Sequence, residues 1–316
     1  MKQHINKFKT TKDRFNQFMN DSDNQKLRIR DIANKLNVSE AELLSIQIGD
    51  SIKILSINNF DIFFNELLSK IDKVMFLIRS DFVVHEKNVL TSELRYTNNQ
   101  FINQKDSFPL LSFDVDKISF IFYEIKEHNN RKLRSFQFFD KTGNSVFKIY
   151  LKGKNKIEFD QIASNYKFDY NYEVQKQGVY KSQSSLELLS YKTDLLHFTD
   201  CVNSVKRILK FSLRDILKVS SQESIPIQIH AFGIGCVQYH RDSIKNVVDY
   251  GPWINIIDKS FNIHVLENKI SNSCLLEHLS DNKKIYSLDF YDVNKNLVLG
   301  FSALKDFEKE FNKLFV

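Results

Sequence analysis

The chain has 316 residues, of which 42% are hydrophobic and 27% charged, a composition that excludes a wholly disordered protein. Its net charge is +6, and the 45 basic and 39 acidic residues are interleaved along the chain, so charge alone identifies no polyanionic partner. This length suits one large domain or two of medium size, and we expect two.

The chain begins with a polar segment, residues 1–24, that we interpret as a frayed or helical arm. It lacks the apolar centre of a signal peptide. The most apolar stretch, residues 224–239, is interrupted by Gln228, His230 and Gln238, so no run of about 20 apolar residues is available to span a bilayer. We therefore expect a cytoplasmic protein without membrane insertion.

Residues 28–49 predict two short helices around a tight turn. Ser39, with Glu42 three places later, has the capping-box pattern, and Gly49 is a natural stop. Such a pair could open a DNA-binding domain, but its second helix carries Glu40 and Glu42 and no basic residue to reach bases or phosphates. We expect the pair to cover a sheet, and nucleic acid is an unfavoured partner.

The rest of the first half, residues 25–164, is predicted to be β-rich and to close with a helix in "KIEFDQIASNY". Aromatic and β-branched residues favour strands in "IDKVMFLIR", "DFVVHEKNVL", "FPLLSFDV", "ISFIFYEI", "LRSFQFFD" and "SVFKIYLK". A polar stretch, residues 97–107, is interpreted as a loop. Residues 165–190 have few aliphatic side chains and are interpreted as a linker.

The second half, residues 191–316, is predicted to repeat this order. We expect a helix pair over residues 197–217, then strands, then a last helix in "DFEKEFNKLF". Sliding the chain along itself by 152 places makes ten of the 34 positions from 117 to 150 identical. The helix pairs also align, at an offset of 173, through Leu36, Ser39 and Leu44 against Leu209, Ser212 and Leu217. The sequence therefore predicts an internal duplication.

Three cysteines, Cys201, Cys236 and Cys274, are widely spaced and form no CxxC pair. This pattern fits reduced thiols and argues against a structural zinc site or a disulfide framework. We interpret the cysteines as small buried hydrophobic residues.

The stretch "GCVQYHRDSIKNVVDYGPWINIIDKSFNIHV", residues 235–265, resembles the signature of bacterial cytoplasmic heme-degrading and hemin transport proteins of the HemS/ChuS type. Further matching pieces keep the family's order along the chain: "RIRDIANKLNVSEAELL", "RSDFVVHEKN", "RSFQFFDKTGNSVFKIYL" and "TDLLHF". The resemblance implies an α+β fold of two similar halves, each a large antiparallel sheet packed against helices, with heme held in a cleft between them.

A heme site needs apolar walls, one or two bases for the iron and cationic groups near the propionates. The family's axial histidine follows a Thr-Asp pair after the linker, and here that place reads Thr193-Asp194-Leu195-Leu196-His197. Leu196 therefore holds the family's ligand position, with His197 next to it. One residue along a helix turns a side chain by about 100°, so His197 is a candidate iron ligand if the helix rotates or the heme tilts.

The other family positions are matched unevenly. The family's distal arginine falls at about Ser112, in a stretch without any Arg. A family tyrosine matches Ser302, an arginine three places later matches Lys305, and a basic residue upstream matches His278. The resemblance therefore implies Lys305 and His278 at the propionate rim, and Leu196, Ser112 and Ser302 in the cleft wall.

The remaining histidines have structural interpretations. His85 is expected at a strand end, paired with a carboxylate. His240 and His264 lie on predicted strands and are expected to hold the sheet. Trp253, after a Gly-Pro pair, is expected in a turn that enters a strand, with its ring in the core or the cleft wall.

Two functions of different classes follow. The first is a cytoplasmic heme-binding protein that traffics heme or degrades it oxidatively to release iron, with a heme ABC transporter or a heme oxygenase as candidate partners. Degradation is the less supported part, because oxygen activation needs a distal polar group. The second is a non-catalytic relative that has lost the axial ligand and binds another planar ligand or a protein partner. Nucleic-acid binding through a basic surface is a distant third.

Overall fold

A computed structural model describes residues 10–128, 130–168, 202–208, 212–280, 283–304, 307–312 and 314. The first half contributes strands β1 Ile52–Leu55, β2 Lys73–Arg79, β3 Val83–Leu90, β4 Leu94–Thr97, β5 Gln100–Asn103, β6 Pro109–Phe113, β7 Phe120–His128, β8 Arg131–Phe139 and β9 Ser145–Leu151. The second contributes β10 Val202–Ile208, β11 Pro226–Gly233, β12 Cys236–Ser243, β13 Val247–Tyr250, β14 Trp253–Ile257, β15 Phe261–Leu266, β16 Ile270–Ser280, β17 Lys283–Asp292 and β18 Leu297–Ala303. The described helices are α1 Thr11–Met19, α2 Ile29–Leu36, α3 Glu40–Ser45, α4 Phe60–Lys70, α5 Lys156–Asn165, α6 Leu213–Gln222 and α7 Glu308–Asn312.

The strands form two antiparallel sheets of nine strands each. The first has the order β1-β7-β8-β9-β2-β3-β15-β14-β13, and the second β10-β16-β17-β18-β11-β12-β6-β5-β4. The two orders correspond strand by strand, because each strand of the first half has its counterpart nine strands later. The predicted α+β fold with two similar, duplicated halves is therefore confirmed.

The halves exchange strands. Each sheet takes six strands from one half and three from the other. The junctions are β15 beside β3, with Ile263 opposite His85, and β6 beside β12, with Ser112 opposite Val237. Neither sheet is complete within one half of the chain.

The inner faces of the two sheets share one hydrophobic core. Strand β8 shows how the sequence sets these faces, because Phe136 and Phe138 point inward while Ser135 and Gln137, between them, point outward. Ring centroids of Phe76 and Phe101, on different sheets, are 4.7 Å apart. The space between the inner faces is thus packed with side chains, and the predicted cleft between the halves is not seen directly.

The first helix pair covers the outer face of the first sheet, as the sequence predicts. Ala41 and Leu44 of α3 pack against Ile52, Ile54, Phe120, Phe122 and Phe139. Ser39 Oγ accepts a hydrogen bond from the Glu42 backbone N–H at 3.1 Å. All five residues from Glu40 to Leu44 are buried, so α3 has no exposed face for a DNA groove.

Two predictions of local structure are wrong. Among the described residues of the predicted helix pair over residues 197–217, 202–208 form strand β10, which pairs with β16, and helix α6 begins at Leu213. Val202, Val205 and Ile208 have a spacing that also suits a helix, and short apolar runs are ambiguous in this way. The predicted loop over residues 97–107 contains β5, which forms a hairpin with β4.

The correct equivalent of α6 is α4, which no predicted element covers. Both helices precede the second strand of their half, and both are capped by a polar side chain. Asn59 Oδ1 accepts from the Ile62 N–H at 3.0 Å, and Ser212 Oγ accepts from the Asp215 N–H at 3.4 Å. The offset of 173 between helix pairs is therefore replaced by one of 153 between the caps, close to the 152 of the strands.

Candidate functional site

The outer face of the second sheet gathers several positions that the sequence singles out. Register partners on neighbouring antiparallel strands, and alternate residues along one strand, belong to the same face. Ser112 on β6, Ser302 on β18 and the strand position of His278 on β16 are connected in this way. The connecting pairs are Ser112–Val237, Val237–Phe232, Gln228–Ser302, Ser302–Ser287 and Ser287–Leu276. These three positions thus share the face opposite the core.

Ser112 and Ser302, the two serines of this face that the sequence singles out, are both buried. Ser112 Oγ accepts a hydrogen bond from Gln100 Nε2 at 3.1 Å. Ser302 is fully buried, and its hydroxyl has no hydrogen-bond partner among the described residues. A buried hydroxyl normally finds a partner within the protein or in a bound molecule, so Ser302 marks a place where a polar contact is missing.

Two ionisable side chains converge on Gly300, two residues before Ser302. Gly300 lies between Asp289 on β17 and His230 on β11 in the register. A Cβ at this position would stand 3.0 Å from Asp289 Oδ1 and 3.3 Å from His230 Nδ1. The lack of a side chain therefore lets Asp289 and His230 close over the strand at this point, and we call Asp289, Gly300 and His230 the polar centre.

Burial changes the protonation of both ionisable groups, because it disfavours the charged form. It raises the pKa of Asp289 to about 7 and lowers the pKa of His230 to about 4. Gln228 Nε2 lies 2.6 Å from His230 Nε2, which fits an amide donating to a neutral imidazole. The proton of that imidazole is then on Nδ1, the ring nitrogen on the side of Gly300.

The corresponding place in the first half carries a charged side chain. The 152-residue offset sets Lys148 at the position of Gly300 and Gln137 at that of Asp289. Lys148 Nζ lies 2.7 Å from Glu40 Oε2 of α3, and both side chains are buried. Although burial alone would raise the pKa of Glu40, the ammonium of Lys148 and the nearby guanidinium groups lower it to about 2.

Several predicted site residues lie outside the described part of the chain. These are the candidate iron ligand His197, its neighbour Leu196, and Lys305 of the predicted rim. His278 is described as a strand position, opposite Val202 on one side and Ile285 on the other. The roles proposed for these residues remain predictions.

The histidines of the inner faces differ in part from expectation. His85 is the third residue of β3 and fully buried, and no carboxylate of the described part of the chain pairs with it, so the predicted strand-end ion pair is wrong. Burial and then the charge of Lys87 lower the pKa of His85 to about 3. His240 stacks on Phe261 with ring centroids 3.8 Å apart, and its Nδ1 is 3.1 Å from Lys87 Nζ.

The predictions for His264 and Cys236 are met, and Trp253 enters a strand as predicted, whereas Cys274 is less buried than predicted and Cys201 lies outside the described residues. His264 Nδ1 is 2.7 Å from Asn255 Oδ1 on the neighbouring strand, and Trp253 begins β14 directly after the turn. Cys236 is buried and donates through Sγ to the Val146 carbonyl at 3.0 Å, while Cys274 is partly buried. Both are free thiols.

Asp289, His230 and Gly300 were not identified from the sequence. The signal was present in the aligned repeat, where an amide and a lysine of the first half correspond to a carboxyl and a glycine in the second. At these matched strand positions the two halves therefore differ in charge and in side-chain size.

The described residues contain neither a cluster of metal-ligating side chains nor a membrane-spanning helix. No group of three or more His, Cys, Asp or Glu side chains there could hold a metal ion. No described helix is long and apolar enough to span a membrane.

Comparison with known proteins finds one family over most of the chain. The family model of the haemin-degrading HemS.ChuX domain matches residues 37–166 and 191–314. The hemin transport protein HmuS of Yersinia pestis is 22% identical over 295 residues, which cover 83% of each chain. The hemin transport protein HemS of Yersinia enterocolitica is 22% identical over 302 residues, covering 85% of each.

Solved structures share the fold over nearly the full length. The heme-binding protein PhuS of Pseudomonas aeruginosa, in its holo form, superposes with a TM-score of 0.80 at 18% identity, covering 96% of this chain and 98% of that one. The heme degrading enzyme ChuS of Escherichia coli O157:H7 gives a TM-score of 0.77 at 17% identity, covering 95% and 98%. At 17% and 18% sequence identity, this structural similarity is evidence for a shared fold only.

Proposed function

Because the chain belongs to the haemin-degrading HemS.ChuX domain family, we propose that it binds heme as a ligand or substrate in heme utilisation. The observation that carries the proposal is the outer face of the second sheet. Positions assigned to the site by resemblance, Ser112, Ser302 and His278, share that face, and the Ser302 hydroxyl buried there has no partner among the described residues.

The described residues of this face offer a porphyrin two kinds of contact. The Ser302 hydroxyl, which has no partner among the described residues, and the imidazole of His230 are polar groups on the face. Beside them lies an apolar cluster that includes Phe232 and Tyr239. Apolar walls with a small number of polar groups are typical of sites for cofactor-sized ligands.

His197, Lys305 and His278 complete the proposed site. The imidazole of His197 would supply the axial ligand, and the two basic residues at the rim would neutralise the propionates. Leu196 beside His197 would form apolar wall. These roles rest on the family match and on the order of residues along the chain.

Binding for transfer or storage is the form of heme utilisation that the site supports best. Oxidative opening of the macrocycle is the second candidate, because relatives include a heme degrading enzyme. Degradation needs an external reductant and a distal polar group. The family's distal arginine corresponds to Ser112, so the chain would have to use a different group.

The proposed setting is the cytoplasm, with a heme ABC transporter as the source of heme or a heme oxygenase as its acceptor. The two described cysteines, both free thiols, are consistent with a reducing compartment. The following experiment distinguishes this proposal from the alternative, in which the chain is a relative that has lost its iron ligand.

The test is a titration with haemin and, in parallel, with metal-free protoporphyrin, following the Soret band and Trp253 fluorescence. The native protein is expected to bind haemin more tightly than protoporphyrin, because only haemin offers iron to an imidazole. His197→Ala should lose that preference, while His128→Ala, at an exposed strand end, should keep it. Absence of any haemin binding by the native protein would remove the proposal. Equal binding of both porphyrins would favour the alternative.

A further inference from the structure

Strand β13 lies at an open edge of the first sheet. It is the last strand in the order of that sheet, and among the described residues only β14 pairs with it. The Ile257 N–H donates to the Asn246 carbonyl at 2.9 Å, where the ladder between β13 and β14 begins. Because backbone groups alternate in direction along an antiparallel strand, those of Val247 and Asp249 point away from β14, to the open edge.

The side chains on the outer face of this edge are apolar and exposed. Val247 packs against the core, so its neighbours point to the opposite face, where Val248 is 48% and Tyr250 80% exposed. Trp253, the register partner of Tyr250, and the exposed Ile257 lie on the same face of β14. An open edge strand with apolar side chains is a template for pairing with another chain.

The equivalent edge of the second sheet is protected against such pairing. Strand β4 corresponds to β13 at an offset of 153 residues, and each of the two strands forms a hairpin with the strand that follows it. The position of Val248 is occupied in β4 by the exposed Arg95, and that of Tyr250 by Thr97. Charged side chains on edge strands oppose pairing between molecules, and β13 lacks this protection.

We infer that β13 binds β13 of a second copy of this chain, which continues the first sheet across a twofold axis at Val248. About that axis, Val247 faces Asp249 of the second copy, and the outward N–H and C=O groups of each meet those of the other. The Val248 side chains of the two copies lie directly opposite, with Cα atoms about 4.5 Å apart in such a non-hydrogen-bonded pair. Tyr250 of each copy covers this valine pair from the outer face.

The charges at this edge suit a second copy. Asp249 is paired within its own molecule, with Arg214 and with Lys218, whose Nζ lies 3.7 Å from Asp249 Oδ2. Its side chain is still 51% exposed, so helix α6, which supplies both cations, leaves the edge accessible. In the twofold arrangement Asp249 stands opposite an uncharged valine. On β4 the same arrangement would place the Arg95 side chains of two copies opposite each other, which is destabilising.

The contact is small, because β13 has four residues. An interface of this kind falls in the class below about 1,200 Å², which is typical of transient association. We therefore expect a monomer–dimer equilibrium with a dissociation constant on the order of 10 μM.

The first experiment measures the molar mass of the full chain by analytical ultracentrifugation from about 1 to about 200 μM, which brackets the expected dissociation constant. The native protein should pass from monomer to dimer over this range. Val248→Arg, which gives β13 the residue of β4, should stay monomeric throughout. Val293→Arg, at a similarly exposed valine in the turn between β17 and β18, is the matched control and should follow the native curve. Far-UV circular dichroism verifies the fold of both variants.

A second measurement needs no variant. Amide hydrogen exchange of the native protein, compared between the dilute and the concentrated sample, should be slower at Val247 and Asp249 in the concentrated one. Exchange at Leu94 and Tyr96, the equivalent positions of β4, should not change with concentration.

Three results would overturn the inference. They are a native protein that stays monomeric at the highest concentration, a dimer that Val248→Arg retains, and a dimer that Val293→Arg also loses. The inference is independent of the proposed function, because β13 belongs to the first sheet and the proposed heme face to the second. Val248→Arg should therefore bind haemin with native affinity, so that the two proposals are tested separately.

Discussion

Lys148 and Asp289 represent two ways of holding a charged group on the outer face of a sheet. Lys148 is paired with Glu40 at 2.7 Å, so its charge is neutralised within the protein. Asp289 has no such partner in the described residues, and its pKa rises to about 7. The first arrangement ties a helix to the sheet, whereas the second holds a buried carboxyl group whose charge depends on pH near neutrality.

Removal of the Lys148 ammonium should destabilise the protein strongly. Lys148→Met leaves Glu40 buried with a charge that loses its closest partner, a change that costs about 3–5 kcal/mol in comparable sites. Urea unfolding followed by Trp253 fluorescence at pH 7 measures the loss. Lys141→Met, at an exposed turn, is the matched control and should stay within about 0.5 kcal/mol of the native protein.

The pH dependence and the double variant distinguish this ion pair from simple packing. Glu40 has a folded pKa of about 2, below its ordinary 4.5, so its contribution is complete above pH 4.5 and is lost as pH falls towards 2. The cost of Lys148→Met should therefore shrink in acid. Glu40→Met combined with Lys148→Met should recover most of the stability. A loss in Lys148→Met below about 1 kcal/mol would contradict this account.

Single residues of the site were only partly accessible to sequence reasoning. Ser112 and Ser302 were found through the resemblance, and the register places them on one face. Asp289 and His230 were missed, because polar residues that alternate with apolar ones in a strand normally indicate a solvated face. Their burial depends on what lies over the sheet, which is a tertiary property.

Among the elements, those with a clear period were predicted and those with mixed signals were not. In β8 the alternation of Phe136 and Phe138 with polar residues indicates a strand on sight. In α4 the run "FDIFF" favours a strand by composition, although Asn59 caps a helix. The β4–β5 hairpin was missed because its turn residues, Asn98 and Asn99, suggest a loop.

Gly300 on β18 is the position equivalent to Lys148 of the first sheet. A side chain at Gly300 should disturb the proposed heme face. Gly300→Lys should lower haemin affinity by at least tenfold, because the new side chain must displace Asp289 and His230 on the proposed heme face. The Soret titration measures affinity, and far-UV circular dichroism verifies the fold. Gly49→Lys, where a Cβ meets only the Gln47 carbonyl at 4.0 Å, is the control. Native affinity in Gly300→Lys would place the ligand elsewhere.

On the scale of the whole molecule, the duplication was readable but the exchange of strands was not. Sequence identity at an offset of 152 residues indicates two copies of one unit. It does not indicate to which of the two sheets each strand belongs. The pairing of β15 with β3, and of β6 with β12, joins segments far apart in the chain. Such pairings depend on how the inner faces close on one core, and no local pattern records them.

This exchange predicts that neither half is stable as a monomer. In an isolated segment of residues 25–168, β3 would lose its neighbour β15, and β6 would lose β12, leaving two unpaired edges over exposed core. Because the halves are equivalent, two copies could pair β3 of one with β6 of the other and rebuild both sheets with twofold symmetry. Light scattering after size exclusion should show a dimer, and urea unfolding should depend on protein concentration. The full chain, at equal concentrations, should unfold independently of concentration if it is monomeric. A segment that stays monomeric and unfolds cooperatively would mean that the exchanged strands stabilise the fold far less than their pairing implies.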